Sequence, residues 1–181
     1  AAAVRAVSKH QWKAEGLIEQ RFIERALNEE GPQREAARTA AAGALGLAAP
    51  NSPLLSYLIP LLQDDSLEVS RTAIRSTGKL QSREALPQLV PRLADSRLRH
   101  EVRQALVRYG DRIVETLGHT LDDPEESLRV RANIPKVLSE MNSQEAVDAL
   151  IRSLPRLDPF LGHRAIKALN KMCVPSFRFR D

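Results

Sequence analysis

Apolar residues recur along this chain at the three- and four-residue spacing of an amphipathic helix. Leu54, Leu55, Leu58, Leu61 and Leu62 follow this spacing, and similar stretches continue beyond them. No alternating run of β-branched and aromatic residues is long enough to predict a strand. Short clusters of Asp, Ser and Pro separate the helical stretches, and these residues favour turns and helix N-caps. The pattern therefore predicts an all-α protein.

The polar turns recur at a nearly constant interval, which indicates a repeat. A leucine precedes each turn, at Leu62, Leu93, Leu121 and Leu157. An arginine lies early in each following helix, and these arginines are spaced 32, 28 and 33 residues apart. They are Arg71, Arg103, Arg131 and Arg164. Each unit is then a helix, an acidic turn, a second helix and a short loop.

Four antiparallel helix pairs follow from this interval. They are 51–65 with 66–81, 82–96 with 97–111, 112–127 with 128–143, and 144–159 with 160–174. An earlier pair, 9–30 with 32–48, has a weaker pattern, and 175–181 is a tail or linker. Prolines at 60, 91 and 155 should kink the first helices. One pair cannot bury its apolar face alone, whereas stacked pairs can. We therefore expect a right-handed α-solenoid of about five stacked pairs, which forms a single domain over 1–181.

These features resemble short HEAT repeats of the kind found in phycobilisome-lyase-like proteins. The kinked first helix, the turn aspartate and the Val-Arg pair early in the second helix carry the resemblance, over residues 51–174 well and 9–48 loosely. The resemblance implies a ladder that joins turn aspartates to second-helix arginines. Its predicted members are Asp65, Asp95, Asp123, Asp158, Arg71, Arg103, Arg131 and Arg164.

A narrower resemblance rests on three runs of sequence. They are YGDRIVETLG at 109–118, RANIPKVL at 131–138 and KALNK at 167–171. These runs are similar to HEAT segments of bacterial membrane transporters of the ATP/ADP translocase type. The resemblance implies a regulatory or scaffolding segment that lies in the cytoplasm and belongs to a larger transporter-like polypeptide. The absence of an initiator Met agrees with a piece of a longer protein.

Charge is distributed unevenly between the two helices of each pair, although the net charge is only +4. The second helices of the four clear pairs hold 13 basic and 4 acidic residues, whereas the first helices with their turns hold 5 and 12. In HEAT-like solenoids the second helices line the concave side, which implies a basic surface there for an acidic partner. The predicted binding residues are Arg75, Lys79, Arg99, Arg108, Lys136, Lys167 and Lys171. The alternative is that the ladder and helix capping account for these charges.

Residues that could perform catalysis are sparse. The four histidines lie in different helices, and His100 with Glu101 is the only His-Glu pair, too few ligands for a metal centre. Cys173 follows Lys171 but has no His partner nearby in the sequence, and no phosphate-binding glycine loop occurs. We therefore expect no enzyme activity, no metal and no cofactor. Two enzyme classes remain as alternatives, a HEAT-like alkylpurine DNA glycosylase and a bilin lyase.

The expected partner is a protein or another domain of the same polypeptide. An anionic lipid surface and a nucleic acid are weaker alternatives. Nucleic-acid bases stack on aromatic rings, and only Tyr109 and Phe160 lie on the basic second helices. No run of about 18 apolar residues is present, so the sequence predicts no membrane-spanning helix.

Overall fold

A computed structural model describes residues 20–49 and 52–173, apart from the Cys173 side chain. All regular elements within these ranges are helical, so the predicted all-α class is confirmed. The described residues form two compact units, an N-terminal unit that ends at Arg108 and a C-terminal unit that begins at Tyr109. One domain over 1–181 stays a prediction. Residues 9–19 and the predicted tail at 175–181 lie outside the described ranges.

Within its described residues, the N-terminal unit contains six α-helices. They are α1 (Gln20–Leu27), α2 (Arg34–Leu45), α3 (Leu58–Leu62), α4 (Leu67–Leu80), α5 (Leu86–Leu89) and α6 (Arg99–Tyr109), whose last residue belongs to the second unit. Helix α2 packs against α1 and α4, and α3 packs against α4 and α5. The layers thus stack as the repeat pattern predicts.

The C-terminal unit is also built from packed helix pairs. Its helices are α7 (Val114–Asp122), α8 (Leu128–Arg131), α9 (Ile134–Met141), α10 (Gln144–Ser153) and α11 (Pro159–Cys173). Helix α7 packs against α9 and α10, while α11 packs against α9 and α10. The first helices α7 and α10 therefore lie side by side, and so do the second helices α9 and α11.

Prolines divide several helices, for the physical reason that a proline nitrogen has no hydrogen to donate to the preceding turn. Pro91 and Pro155 lie in the 3₁₀ segments Val90–Ala94 and Leu154–Arg156. The predicted continuous helix over 128–143 is wrong, because the chain leaves the helix after α8 and restarts as α9. Pro135 occupies the first turn of α9, where a missing N–H is tolerated.

Polar turn residues cap the helices, as their chemistry predicts. The Ser66 hydroxyl accepts a hydrogen bond from the Val69 N–H at the start of α4. The Asp158 carboxylate accepts from the Phe160 N–H at 2.8 Å at the start of α11. Each bond satisfies one N–H that has no partner inside its helix.

Gly78 allows α4 and α6 to approach closely. A Cβ atom at this position would lie 2.7 Å from the Ala105 Cα and 2.8 Å from its Cβ. Both neighbours are atoms that cannot rotate away. The close packing of these two second helices therefore requires a residue without a side chain.

Gly78→Ala is expected to lower the free energy of unfolding by about 1–3 kcal/mol, because the helices must separate to admit the methyl group. Gly162→Ala is the matched control in α11, where an added Cβ would have no neighbour within 4 Å. Gly162→Ala should raise the free energy of unfolding by up to about 1 kcal/mol, because Ala has a higher helix propensity than Gly. Urea denaturation measures both, and equal effects of the two changes would contradict the packing argument.

Candidate partner-binding groove

A groove of about 300 Å³ lies between the second helices α9 and α11 of the C-terminal unit. Four basic residues line it: Lys136, Arg164, Lys167 and Lys171. The remaining lining residues are small or uncharged, and no carboxylate is among them. Three of the seven predicted partner-binding residues thus meet in one place.

The helical periodicity of α11 explains why its basic residues share the groove. Arg164, Lys167 and Lys171 are separated by three and four residues, so they lie on one face of the helix. The neighbouring face is apolar and contacts the core through residues such as Leu161 and Ala165, which are fully buried. The buried face fixes the rotation of α11, and this rotation turns the basic face into the groove.

Arg164 occupies a different role from the one its sequence position predicts. One terminal nitrogen of its guanidinium donates to the Ala132 carbonyl at 3.1 Å. The guanidinium carbon lies 5.0 Å from the centre of the Phe160 ring, a cation–π contact. Arg164 also lines the groove together with the three lysines predicted to bind a partner.

The first helices of the same unit form a second groove of the opposite charge. It lies between α7 and α10 and has a volume of about 540 Å³. Two arginines and a histidine line it together with five carboxylates, which belong to Asp111, Glu115, Asp122, Glu145 and Asp148. Asp122 pairs with Arg156 at 2.6 Å. In this unit the second helices thus form a basic groove, and the first helices form a separate groove that is mainly acidic.

The other predicted binding residues lie in the N-terminal unit and differ among themselves. Arg75, Lys79 and Arg108 are exposed. Arg99 is half-buried, and its Nε donates to the Leu93 carbonyl at 3.0 Å. A second guanidinium nitrogen donates to the Ala94 carbonyl. Arg99 therefore satisfies carbonyls at the end of a first helix, a contact that its position in the sequence did not predict.

This contact recurs along the chain. The Arg38 guanidinium donates to the Leu27 carbonyl at 2.6 Å, and Arg131 Nε donates to the Leu121 carbonyl at 2.9 Å. The last carbonyls of a helix have no partner inside it, so an arginine from the second helix stabilises them. Arg131, predicted as a ladder member, makes this contact with its own pair.

Carboxylates do join neighbouring helix pairs, but Asp64, the one that is buried, was not predicted to do so. Asp64 accepts from Arg38 at 2.8 Å, and its side chain is only 4% exposed. Asp65, the predicted member, is 97% exposed and lies 3.9 Å from Arg34. Arg71 pairs with Glu101 at 3.3 Å.

The other predicted ladder aspartates accept hydrogen bonds from their own turns. Asp95 accepts from the backbone and side chain of Arg97, and this hydrogen-bonded guanidinium lowers the pKa of Asp95 below its usual value. Asp123 accepts from the Glu125 N–H at 2.9 Å. Asp158 caps α11. These side chains shape the turns that reverse the chain.

His100 and Glu101 do not converge on a common site. Arg103, another predicted ladder member, lies 3.2 Å from the His100 ring nitrogen Nδ1, while Glu101 pairs with Arg71. Among the residues the structure describes, no group of three His, Cys, Asp or Glu side chains could hold a metal ion. Within the same residues, no helix is long and apolar enough to cross a membrane. The Cys173 side chain lies outside the described part of the chain.

Residues 22–109 match the family model described as HEAT repeats. This stretch is similar to HEAT repeats. It includes α2, whose pair had the weakest sequence pattern, and both inter-repeat ion pairs of Arg38 and Arg71. No curated protein matches the chain.

Proposed function

We propose that the chain is a non-enzymatic interaction module that binds an acidic segment of a partner protein in the groove between α9 and α11. The observation that supports this most is the lining, which holds four cationic side chains and no carboxylate. HEAT repeats generally serve protein interaction and scaffolding, because stacked pairs build an extended surface. A cationic groove attracts an anionic partner and raises its association rate.

An acidic protein segment fits this groove better than a nucleic acid does. Arg164 and Lys171 are seven residues apart, so the basic row on α11 is only about 10 Å long. Nucleic-acid surfaces also present aromatic rings for bases to stack on. Tyr109 is 3% exposed, and the Phe160 ring already contacts Arg164. The groove thus offers charge without a stacking platform.

Reversing the charge of Lys136, Lys167 and Lys171 to Glu is expected to weaken binding of poly-L-glutamate by at least about tenfold at low salt. The reason is that attraction between exposed charges depends on their sign and is weakly screened there. Fluorescence anisotropy with labelled poly-L-glutamate measures the effect. Parallel titrations with heparin and anionic liposomes test the nucleic-acid and lipid alternatives.

A matched triple variant controls for net charge. Arg25, Arg83 and Arg129 are exposed and lie outside the groove, and their replacement by Glu changes the net charge equally. This control should retain most of the affinity. Equal losses in the two triple variants would show that the overall charge, and not the groove, attracts the probe.

The finer proposal is that the acidic segment belongs to the same polypeptide, a transporter-like membrane protein whose cytoplasmic part includes this module. The three runs of sequence that resemble such proteins support it, and all of them lie in the unit that carries the groove. Western blotting of native membranes should then detect these residues in a membrane-bound chain longer than 181 residues. Recovery of the native protein only from the supernatant would contradict this proposal.

A further inference from the structure

We propose that Arg164 determines the specificity of the groove for carboxylates, and that Phe160 is the positioning residue that fixes the orientation of the Arg164 guanidinium. This inference rests on the proposed function, since it names the residue that recognises the acidic segment. The chemical class of the ligand is an Asp or Glu side chain of a peptide.

The contacts of Arg164 hold its guanidinium in place without using all of its donors. A guanidinium carries five N–H donors in a planar fork. One terminal nitrogen donates to the Ala132 carbonyl, and the guanidinium carbon lies over the Phe160 ring. The side chain also lines the groove, so its remaining donors are available to a ligand there. A planar fork matches the two oxygens of a carboxylate.

The three lysines of the groove differ from Arg164 in this respect. Lys136, Lys167 and Lys171 are exposed, and no hydrogen bond or ion pair within the described residues fixes their ammonium groups. Each must lose conformational entropy when it contacts a ligand, whereas the Arg164 side chain is already ordered. Lysines therefore supply attraction at a distance, and Arg164 supplies a directed contact.

Phe160 is half-exposed, with 50% of its surface accessible, as is Ile166 on the same helix. The Phe160 ring differs in that it contacts the Arg164 guanidinium. The ring lies four residues before Arg164 on α11, so it flanks the basic face. A cation–π contact at an exposed site should increase the population of this guanidinium orientation by about two- to fivefold.

The test uses the full chain and labelled poly-L-glutamate as the probe. Arg164→Lys keeps the charge but removes the fork, and we expect about fivefold weaker binding with an unchanged dependence on salt. Phe160→Leu should weaken binding by about two- to fivefold. Phe160→Tyr keeps the ring and should bind like the wild type. Lys167→Gln, in contrast, should reduce the dependence on salt because it removes a charge.

Circular dichroism and thermal unfolding separate recognition from stability. A purely structural role of Arg164 would lower the unfolding midpoint but leave binding well below that midpoint unchanged, and that result would overturn the inference. If the triple lysine variant loses binding while Arg164→Lys and Phe160→Leu do not, the proposed function stands and this inference fails. If the lysine variant also binds normally, both fail. Dextran sulfate is a polyanion without carboxylates, so equal sensitivity of its binding to Arg164→Lys would overturn the specificity for carboxylates.

Discussion

Replacing Leu106 by Asp is expected to unfold the N-terminal unit beyond its own helix. Leu106 is fully buried in α6, and the adjacent Ala105 contacts Gly78 of α4. A carboxylate at this position has no cationic partner in the core, so the free energy of unfolding should fall by about 4 kcal/mol or more. This is a large part of the stability of a typical domain. In a stacked array the loss spreads to neighbouring layers.

Hydrogen exchange measures how far the effect extends. Loss of protection should include α4 as well as α6, because the two helices share one interface. Gln104→Asp is the matched control, since Gln104 is exposed on the same helix and its change adds the same carboxylate. The control should leave protection unchanged. Loss confined to residues 97–111 in the Leu106 variant would contradict the stacked arrangement.

Replacing Arg38 by Met is expected to lower the free energy of unfolding by about 3 kcal/mol, because Asp64 would keep a buried charge without its partner. The Asp64 side chain is 4% exposed, and the Arg38 guanidinium lies 2.8 Å from it. The same guanidinium also donates to the Leu27 carbonyl, which would lose this hydrogen bond. Chemical denaturation of the purified chain measures the change.

The chain offers a close control four residues earlier on the same helix. Arg34 lies 3.9 Å from Asp65, whose side chain is 97% exposed. Water solvates this pair, so Arg34→Met should change stability by no more than about 0.5 kcal/mol. The double variant Arg38→Met with Asp64→Asn should recover part of the loss, because it removes the unpaired charge. Similar costs for the two arginines would show that burial does not set the strength of these pairs.

The repeat was predictable because it depends on spacing along the chain. Leucines before each turn and arginines after it recur at about thirty residues, and the helices α4, α6 and α11 lie within two residues of the predicted second helices. The break between α8 and α9 was missed, although Pro135 was a visible signal for a new helix start.

The partners of individual side chains were harder to predict. Asp64 and Asp65 are adjacent and chemically identical, yet one is buried and the other almost fully exposed. Only the packed structure decides which of the two faces Arg38 of the preceding helix pair. Arg99 and Lys136 were both predicted to bind a partner, yet their surroundings differ. Arg99 contacts backbone carbonyls, whereas Lys136 lines the groove.

The sequence by itself determined that the chain is helical, that it is built from repeated helix pairs and that second helices carry the positive charge. These properties follow from local spacing and composition. Only the tertiary structure decided which basic residues share a groove, because that depends on the rotation and spacing of α9 and α11 when their apolar faces are buried together. It also turned Arg164 from a predicted ladder member into a residue of the groove, since its contact with the Ala132 carbonyl exists only once the pairs are stacked.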